Sequence, residues 1–525
     1  MKENMKKKGI SLIDKSKKGF ISAVFSRLGL ILLLLLLQIA FLVYLFRRFE
    51  EFLPQIYTVL LVLSGIMSMY LLNSDIDPTA KLTWLVVIVV LPAFGVPFYL
   101  YTQMDVGHRA LKNRVNQLSI RTKNLIPQSP EAMERLESAD PGVAALARYI
   151  TRNGCYPVFE NTRVTYFPSG EAKFEELLIQ LEKAEKFIYL EYFIINEGTM
   201  WGQVLEILVR KAAEGLDIRL LYDGTCEFST LPHNYPEMLE HLGIHCKMFA
   251  PITPFVSTHY NYRDHRKILV IDGHTSFTGG INLADEYINE YPKHGHWKDT
   301  AVMLEGEATR SFTLMFLQMW SLDEKNPKFK RTVTLPDPVP CYASGFVIPY
   351  GDCPLDHDKV GEQVYMDILN RAHKYVHIMT PYLILDGEME NALVYAAERG
   401  VDVRIILPGI PDKKIPYALA FTHYHALLSA GVKIYEYTPG FVHAKVFVSD
   451  SREAVVGTIN LDYRSLYHHF ECAAYMYGVP CIPDIELDFI QTQAKCRQVT
   501  LETIKNERPL RKAVGFVMKA IAPLL

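Results

Sequence analysis

Asn261 to Asn282 reads NYRDHRKILVIDGHTSFTGGIN, and Phe441 to Asn460 reads FVHAKVFVSDSREAVVGTIN. In the first stretch His265 and Lys267 lie two apart, and Asp272, Gly279 and Asn282 follow the lysine by five, twelve and fifteen residues. In the second, His443, Lys445, Asp450, Gly457 and Asn460 keep the same register. One His-x-Lys pair in a strand is ordinarily a solvated face, but two copies with matched Asp, Gly and Asn mark a duplicated unit. Side chains two apart on a strand leave by the same face, so each pair can reach one ligand. The chain therefore reads as two equivalent halves sharing a catalytic site.

The sequence before each motif repeats as well. Ala172 to Ala184 carries apolar residues at helical spacing, FIYLEYFII (Phe187 to Ile195) reads as a buried strand, Met200 to Ala213 as a helix, and GLDIRLLYD (Gly215 to Asp223) as a strand. Val364 to His373, YVHIMTPYLI (from Tyr375), Met389 to Arg399 and GVDVRIILP (Gly400 to Pro408) follow in the same order. Strands alternating with helices predict an α/β fold of two pseudo-symmetric domains, residues 140–325 and 326–525, each a mixed sheet flanked by helices. The last stretch, Pro509 to Leu525, mixes Arg511, Lys512 and Lys519 with apolar residues at helical spacing. It either lies on a membrane or packs against the catalytic part.

A phosphodiester suits the paired motifs. One imidazole attacks phosphorus and forms a phosphohistidine, while the other protonates the departing alcohol and then deprotonates the incoming one. Lys267 and Lys445 would neutralise the non-bridging oxygens, and Asn282 and Asn460 would donate hydrogen bonds to them. Asp272 and Asp450 belong to the catalytic motif by position, but by chemistry they suit strand and turn geometry. Each histidine also needs a carboxylate to hold its tautomer. Asp299, seven residues before Gly306, and Glu471, seven before Gly478, occupy matching places. The other histidines near the motifs, His259, His294, His296, His423, His425, His468 and His469, do not repeat between halves; most read as solvated or structural, and a minority as touching substrate.

A basic leader, residues 1–27, precedes apolar stretches at Leu28 to Phe46, Leu53 to Leu72 and Leu82 to Tyr101. Each approaches the ~20 residues needed to cross hydrocarbon, so residues 28–101 read as a membrane region and 102–139 as a linker. Arg47 and Arg48 end the first stretch without a small-x-small pattern, which favours an anchor over a cleaved signal. Arg109, Lys112, Arg114, Arg121 and Lys123 make the second flank basic too, so both flanks and the catalytic halves are expected in the cytoplasm. That requires an even number of crossings. The third stretch, broken by Pro92, Gly95 and Pro97, is the candidate for a re-entrant segment.

Net charge is −3 and the isoelectric point near 6.6, which lacks the basic excess of a nucleic-acid binder. The eight cysteines show neither paired nor metal-ligand spacing, so no metal, cofactor or disulfide framework is expected.

Two complete HxKxxxxD motifs, each followed by GxxN, resemble the phospholipase D superfamily. NYRDHRKILVIDGHTSFTGGINLADEY, GFVHAKVFVSDSREAVVGTINLDYRS, the LEYFI strand, Thr380 to Tyr382 and the apolar N-terminal hairpin are similar to the bacterial cardiolipin synthases. The resemblance implies transfer of a phosphatidyl group from one phosphatidylglycerol to another, giving cardiolipin and glycerol at the cell membrane through a phosphatidyl-histidine, with His265 as nucleophile. Two residues depart from the family pattern: Lys298 stands where Arg is usual, and His469 where Asn is usual. A hydrolase or another donor lipid is the alternative within the superfamily. A nuclease is opposed by composition and by the apolar N-terminus, and a scaffold by two intact motifs.

Overall fold

A computed structural model describes residues 27–48 and 53–522 apart from 75, 104, 105, 155, 252–261, 326, 328, 330–342, 357 and 521. The basic leader before Arg27 lies outside the described residues, as does His259. The chain divides into an apolar N-terminal unit, up to residue 105, and a catalytic unit, Val106 to Lys519.

The N-terminal unit contains α1 (Arg27–Arg48), α2 (Leu53–Leu72), α3 (Pro78–Val90) and α4 (Pro92–Gln103). Among the described residues, Pro54–Leu72 is the helix long and apolar enough to cross a membrane. The third apolar stretch is not one helix. Asp77 caps α3 by accepting from the N–H groups of Thr79 and Ala80, and Leu91 before Pro92 leaves helical geometry at φ −124°, ψ 60°. The chain then doubles back: the Trp84 ring lies 5.5 Å from Phe98 and 5.1 Å from Tyr99. Gly95 permits this approach, since a Cβ there would sit 2.5 Å from the Ile88 Cα. Helices of 13 and 12 residues span about 20 Å each, short of the ~30 Å hydrocarbon core.

In the catalytic unit the first half supplies β1 (Thr162–Phe167), β2 (Phe187–Tyr192), β3 (Asp217–Asp223), β4 (His245–Phe249), β5 (Arg263–Asp264), β6 (Lys267–Ile271), β7 (Thr275–Gly279), β8 (His296–Lys298) and β9 (Ala301–Gly306). The second supplies β10 (Phe346–Asp352), β11 (Tyr375–Met379), β12 (Leu383–Ile384), β13 (Asp402–Pro408), β14 (Lys433–Tyr437), β15 (Gly440–Val442), β16 (Val446–Ser449), β17 (Glu453–Gly457), β18 (Leu461–Asp462), β19 (His469–Tyr477) and β20 (Cys496–Val499). The sheets run β1-β9-β7-β6-β2-β3-β4 and β10-β19-β17-β16-β11-β13-β14, with β20 added at the edge of the second. Both are mixed: β2 is parallel to β3 and antiparallel to β6, and β11 is parallel to β13 and antiparallel to β16. On the first sheet's outer face, α5 (Gly170–Glu182) and α6 (Thr199–Ala213) bury Leu177, Leu181, Val204 and Leu208 against Ile188, Leu190, Ile218 and Leu220. Truncating a leucine buried this completely costs about 2–5 kcal/mol.

The two halves share one hydrophobic core rather than forming separable domains. Ile268 and Val302 of the first half belong to the same buried cluster as Ile378, Val448 and Val455 of the second. Thr278 Oγ1 and Cys472 Sγ meet 3.4 Å apart across it. Residues 106–139 join this core too, which corrects their reading as a linker. Val106–Thr122 and Pro130–Ala139 are helical, Leu118 and Leu136 are buried, and Arg114 donates to the carbonyls of Ser321 and Leu322. The basic residues of the first helix and the glutamates of the second masked an apolar face in the sequence.

Two short ladders cross between halves. β5 pairs parallel with the start of β19, Arg263 opposite His469, and β15 pairs parallel with β8, Phe441 opposite Trp297. Each ladder ends at a motif histidine: the His265 N–H donates to the Phe470 carbonyl at 2.9 Å, and the His443 N–H to the Lys298 carbonyl at 2.7 Å.

Candidate active site

Because each histidine follows a short strand that pairs with the opposite half, its carboxylate comes from that half. His265 Nδ1 lies 2.9 and 3.0 Å from the Glu471 oxygens, and His443 Nδ1 lies 2.7 Å from Asp299 Oδ2. The structure thus brings together the two histidines and both nominated carboxylates, in crossed pairs. Asp299 and Glu471 are fully buried, and both histidines are less than a tenth exposed. Two devices seat the carboxylates. A Cβ on Gly280 would fall 2.0 Å from Asp299 Oδ1, so only glycine leaves room there. At the matching place in the second half, the Thr458 hydroxyl donates to Glu471.

Lys267 Nζ donates to the His265 carbonyl at 2.6 Å, and Lys445 Nζ to the His443 carbonyl. Burial pushes Lys267 down to about 8 and Lys445 down to about 7, against partial support from the site carboxylates. Burial and the neighbouring lysines push His443 down to about 4 and hold His265 well below the usual imidazole range. Charges of both halves act on each ring: Lys445 and His443 on His265, and Lys267 on His443. Burial alone would raise Asp299, but the His443 ring, Lys445 and the Thr300 N–H hold it below the usual carboxylate range.

The structure does not bring Asp272 and Asp450 to the histidines. Each sits past the far end of its motif strand in left-handed backbone, φ +54° and +51°. The Asp272 carboxylate accepts from the N–H groups of Glu185, Lys186 and Phe187, and that of Asp450 from His373, Lys374 and Tyr375. Their place among the catalytic residues is corrected to that of clasps that tie the motif turn to the entry of β2 or β11. Asn282 is partly engaged by the fold, accepting from the Ile194 N–H at 3.0 Å and donating to the Tyr287 hydroxyl at 2.7 Å. Asn460 Nδ2 reaches Asp462 at 3.3 Å, and its carbonyl oxygen has no hydrogen bond among the described residues.

The chain matches the family described as cardiolipin synthase, PLD-like domain, over residues 177–320 and 365–492, one match per half. The chain belongs to that cardiolipin synthase family. Residues 59–102 match a second description, phospholipase D-nuclease N-terminal. A cardiolipin synthase of Alkalihalophilus pseudofirmus is 31% identical over 475 residues, covering 90% of this chain and 93% of that one. Another, of Halalkalibacterium halodurans, is 30% identical over 510 residues, covering 95% and 100%. A phosphatidylserine synthase of Haemophilus influenzae has a structure similar to this one at TM-score 0.56 and 16% identity, covering 73% of this chain and 98% of that one, which shows a shared fold. As a member of the cardiolipin synthase family, the chain is a phosphatidyltransferase.

Sequence reasoning missed the aromatic neighbours of this cardiolipin synthase-family site. Trp297 packs on His443 at 5.4 Å, and at the equivalent position His469 packs on His265 at 5.2 Å. Phe193 and Tyr287 stand against His265 and His443 at 4.9 and 5.4 Å. The reading of His469 as solvated or structural is corrected: it is buried in the site. Its position two residues before Glu471, as Trp297 is before Asp299, was the available signal. Lys298, the other departure, pairs with Asp488 at 2.7 Å and fastens the Asp299 segment to the second half. The sequence spacing shows no metal site, yet the fold assembles His265, His469 and Glu471 into a candidate ligand group.

Proposed function

We propose that the chain converts two molecules of phosphatidylglycerol to cardiolipin and glycerol through a phosphatidyl-histidine. The crossed histidine–carboxylate pairs carry this reading. With each Nδ1 turned to a carboxylate, each Nε2 is left for the substrate. His265 Nε2 attacks phosphorus, forming an N–P bond as the P–O bond to glycerol breaks. His443, neutral in the free protein, takes up a proton when the anionic phosphodiester binds, holds it beside charged Asp299, and gives it to the departing glycerol oxygen. The hydroxyl of a second phosphatidylglycerol returns a proton to His443, attacks phosphorus and releases His265. Lys267 and Lys445 balance the phosphate charge throughout.

Membrane anchoring raises the local concentration of lipid hydroxyl, so alcohol outcompetes water for the intermediate. The doubled-back α3–α4 hairpin supports a re-entrant segment beside two crossings, and hence a catalytic unit in the cytoplasm. The test is purified protein in mixed micelles with labelled phosphatidylglycerol as sole lipid. Cardiolipin and glycerol should form in equal amounts with little phosphatidic acid, and added glycerol should suppress cardiolipin. Dominant phosphatidic acid, unaffected by glycerol, would make the chain a hydrolase.

A further inference from the structure

His469 is 7% exposed and packed against His265, yet among the described residues neither of its ring nitrogens makes a hydrogen bond of good geometry. Its Nδ1 lies 3.4 Å from Glu471 Oε1, the same carboxylate that holds His265 Nδ1 at 2.9 Å. A buried polar group left without a well-made hydrogen bond costs about 1–3 kcal/mol, and the phosphodiester chemistry gives this imidazole no task. A nitrogen from each ring and a Glu471 oxygen lie within 4.8 Å of one another. Ligand atoms around a tetrahedral zinc are about 3.3 Å apart, given Zn–N and Zn–O bonds of about 2.0–2.1 Å. Side-chain movement of up to about 1.5 Å would close that difference. Two imidazoles and one carboxylate form the donor set of an open zinc site, whereas magnesium and calcium prefer oxygen alone.

We propose that His265, His469 and Glu471 bind one zinc-like transition-metal ion, and that this ion reversibly inhibits transfer. The inhibitory part rests on the nucleophilic role proposed for His265; the binding part does not. Coordination at His265 Nε2 removes the attacking lone pair, and coordination at Nδ1 displaces the proton shared with Glu471. Metal and lipid therefore compete. The pseudo-symmetric position beside His443 holds Trp297, whose indole offers no ligand lone pair. Only one half can carry such a site. Lys267 and Lys445 oppose the ion's charge, which makes it exchangeable and removable by a chelator.

The test titrates the purified full-length chain in detergent with Zn²⁺ by calorimetry and with Co²⁺ by visible absorption. Wild type should bind one ion per chain with the absorption of nitrogen-ligated Co²⁺, and Zn²⁺ should raise KM for lipid. His469→Gln and His469→Asn, checked for folding by thermal melting, should each weaken binding and inhibition about tenfold or more. The acidic group Glu362, Asp386 and Glu388 offers oxygen ligands only, so its occupancy lacks the nitrogen signature. A wild type that binds no ion with nitrogen ligation overturns the proposal, as do variants that bind like wild type. Should the micelle assay yield no cardiolipin, the transferase reading fails while the titration still decides the metal site.

Discussion

Four buried titratable side chains, His265, Lys267, His443 and Lys445, act on one another across the halves, and in the proposed reaction their protonation states set when the site works. His443 is held near 4 and His265 well below 6.5, so the attacking ring stays neutral in mildly acidic solution. The acid limb of kcat/KM should therefore lie below pH 6. The lysines, at about 7 and 8 in the free protein, lose charge as pH rises. Loss of the His443 proton begins the basic limb of kcat/KM, and the lysines steepen it near pH 7–8; a bound phosphodiester favours all three charged forms, so the limb should lie at higher pH in kcat. Coincident basic limbs in the two profiles would argue against lysines that pair with the phosphate. Stability follows the same groups. An imidazole depressed in the folded state contributes stability that is complete above 6.5 and is lost as pH falls toward 4, so the melting temperature should drop across that window.

At the level of elements, β5 and β15 decide which carboxylate meets which histidine. The succession of strands and helices along the chain and the motif strands were legible in the sequence, because apolar runs such as FIYLEYFII are long enough to stand out. β5 has two residues and β15 three, too few for any periodicity, so the exchange that crosses the pairs was invisible. The position of Asp299 and Glu471 was legible from the repeat; their partners were not. Gly280 tests the crossing directly. Gly280→Ala would drive a Cβ into Asp299 and displace it from His443, and a misplacement of this size costs about 10²-fold in kcat. A Cβ added at Gly202 in α6 would meet nothing within 4 Å, so Gly202→Ala should leave kcat unchanged and stabilise by up to about 1 kcal/mol. Equal activity in the two variants would show that the Asp299 seat is not needed.

For the whole molecule, composition and the apolar N-terminus were enough to suggest a membrane enzyme, but not the burial of its thiols. Cys226 is 1% exposed and its Sγ donates to the Phe193 carbonyl at 3.2 Å, while burial pushes it up to about 11. The native thiol is thus a poor reporter of sidedness. His233, whose side chain is 82% exposed, is a better position. His233→Cys should resist a membrane-impermeant thiol reagent in intact cells and react after lysis; labelling of intact cells would put the catalytic unit outside.

In the proposed reaction one histidine from each half serves a single covalent transfer. A phosphatidyl ester of p-nitrophenol tests it, because this leaving group departs without an acid while resolution still needs His443 as base. His443→Ala should release about one p-nitrophenol per chain and stop, with a phosphatidyl mass increment on His265. His265→Ala should release none. A burst from His265→Ala with the increment on His443, or sustained turnover in either variant, would contradict the account.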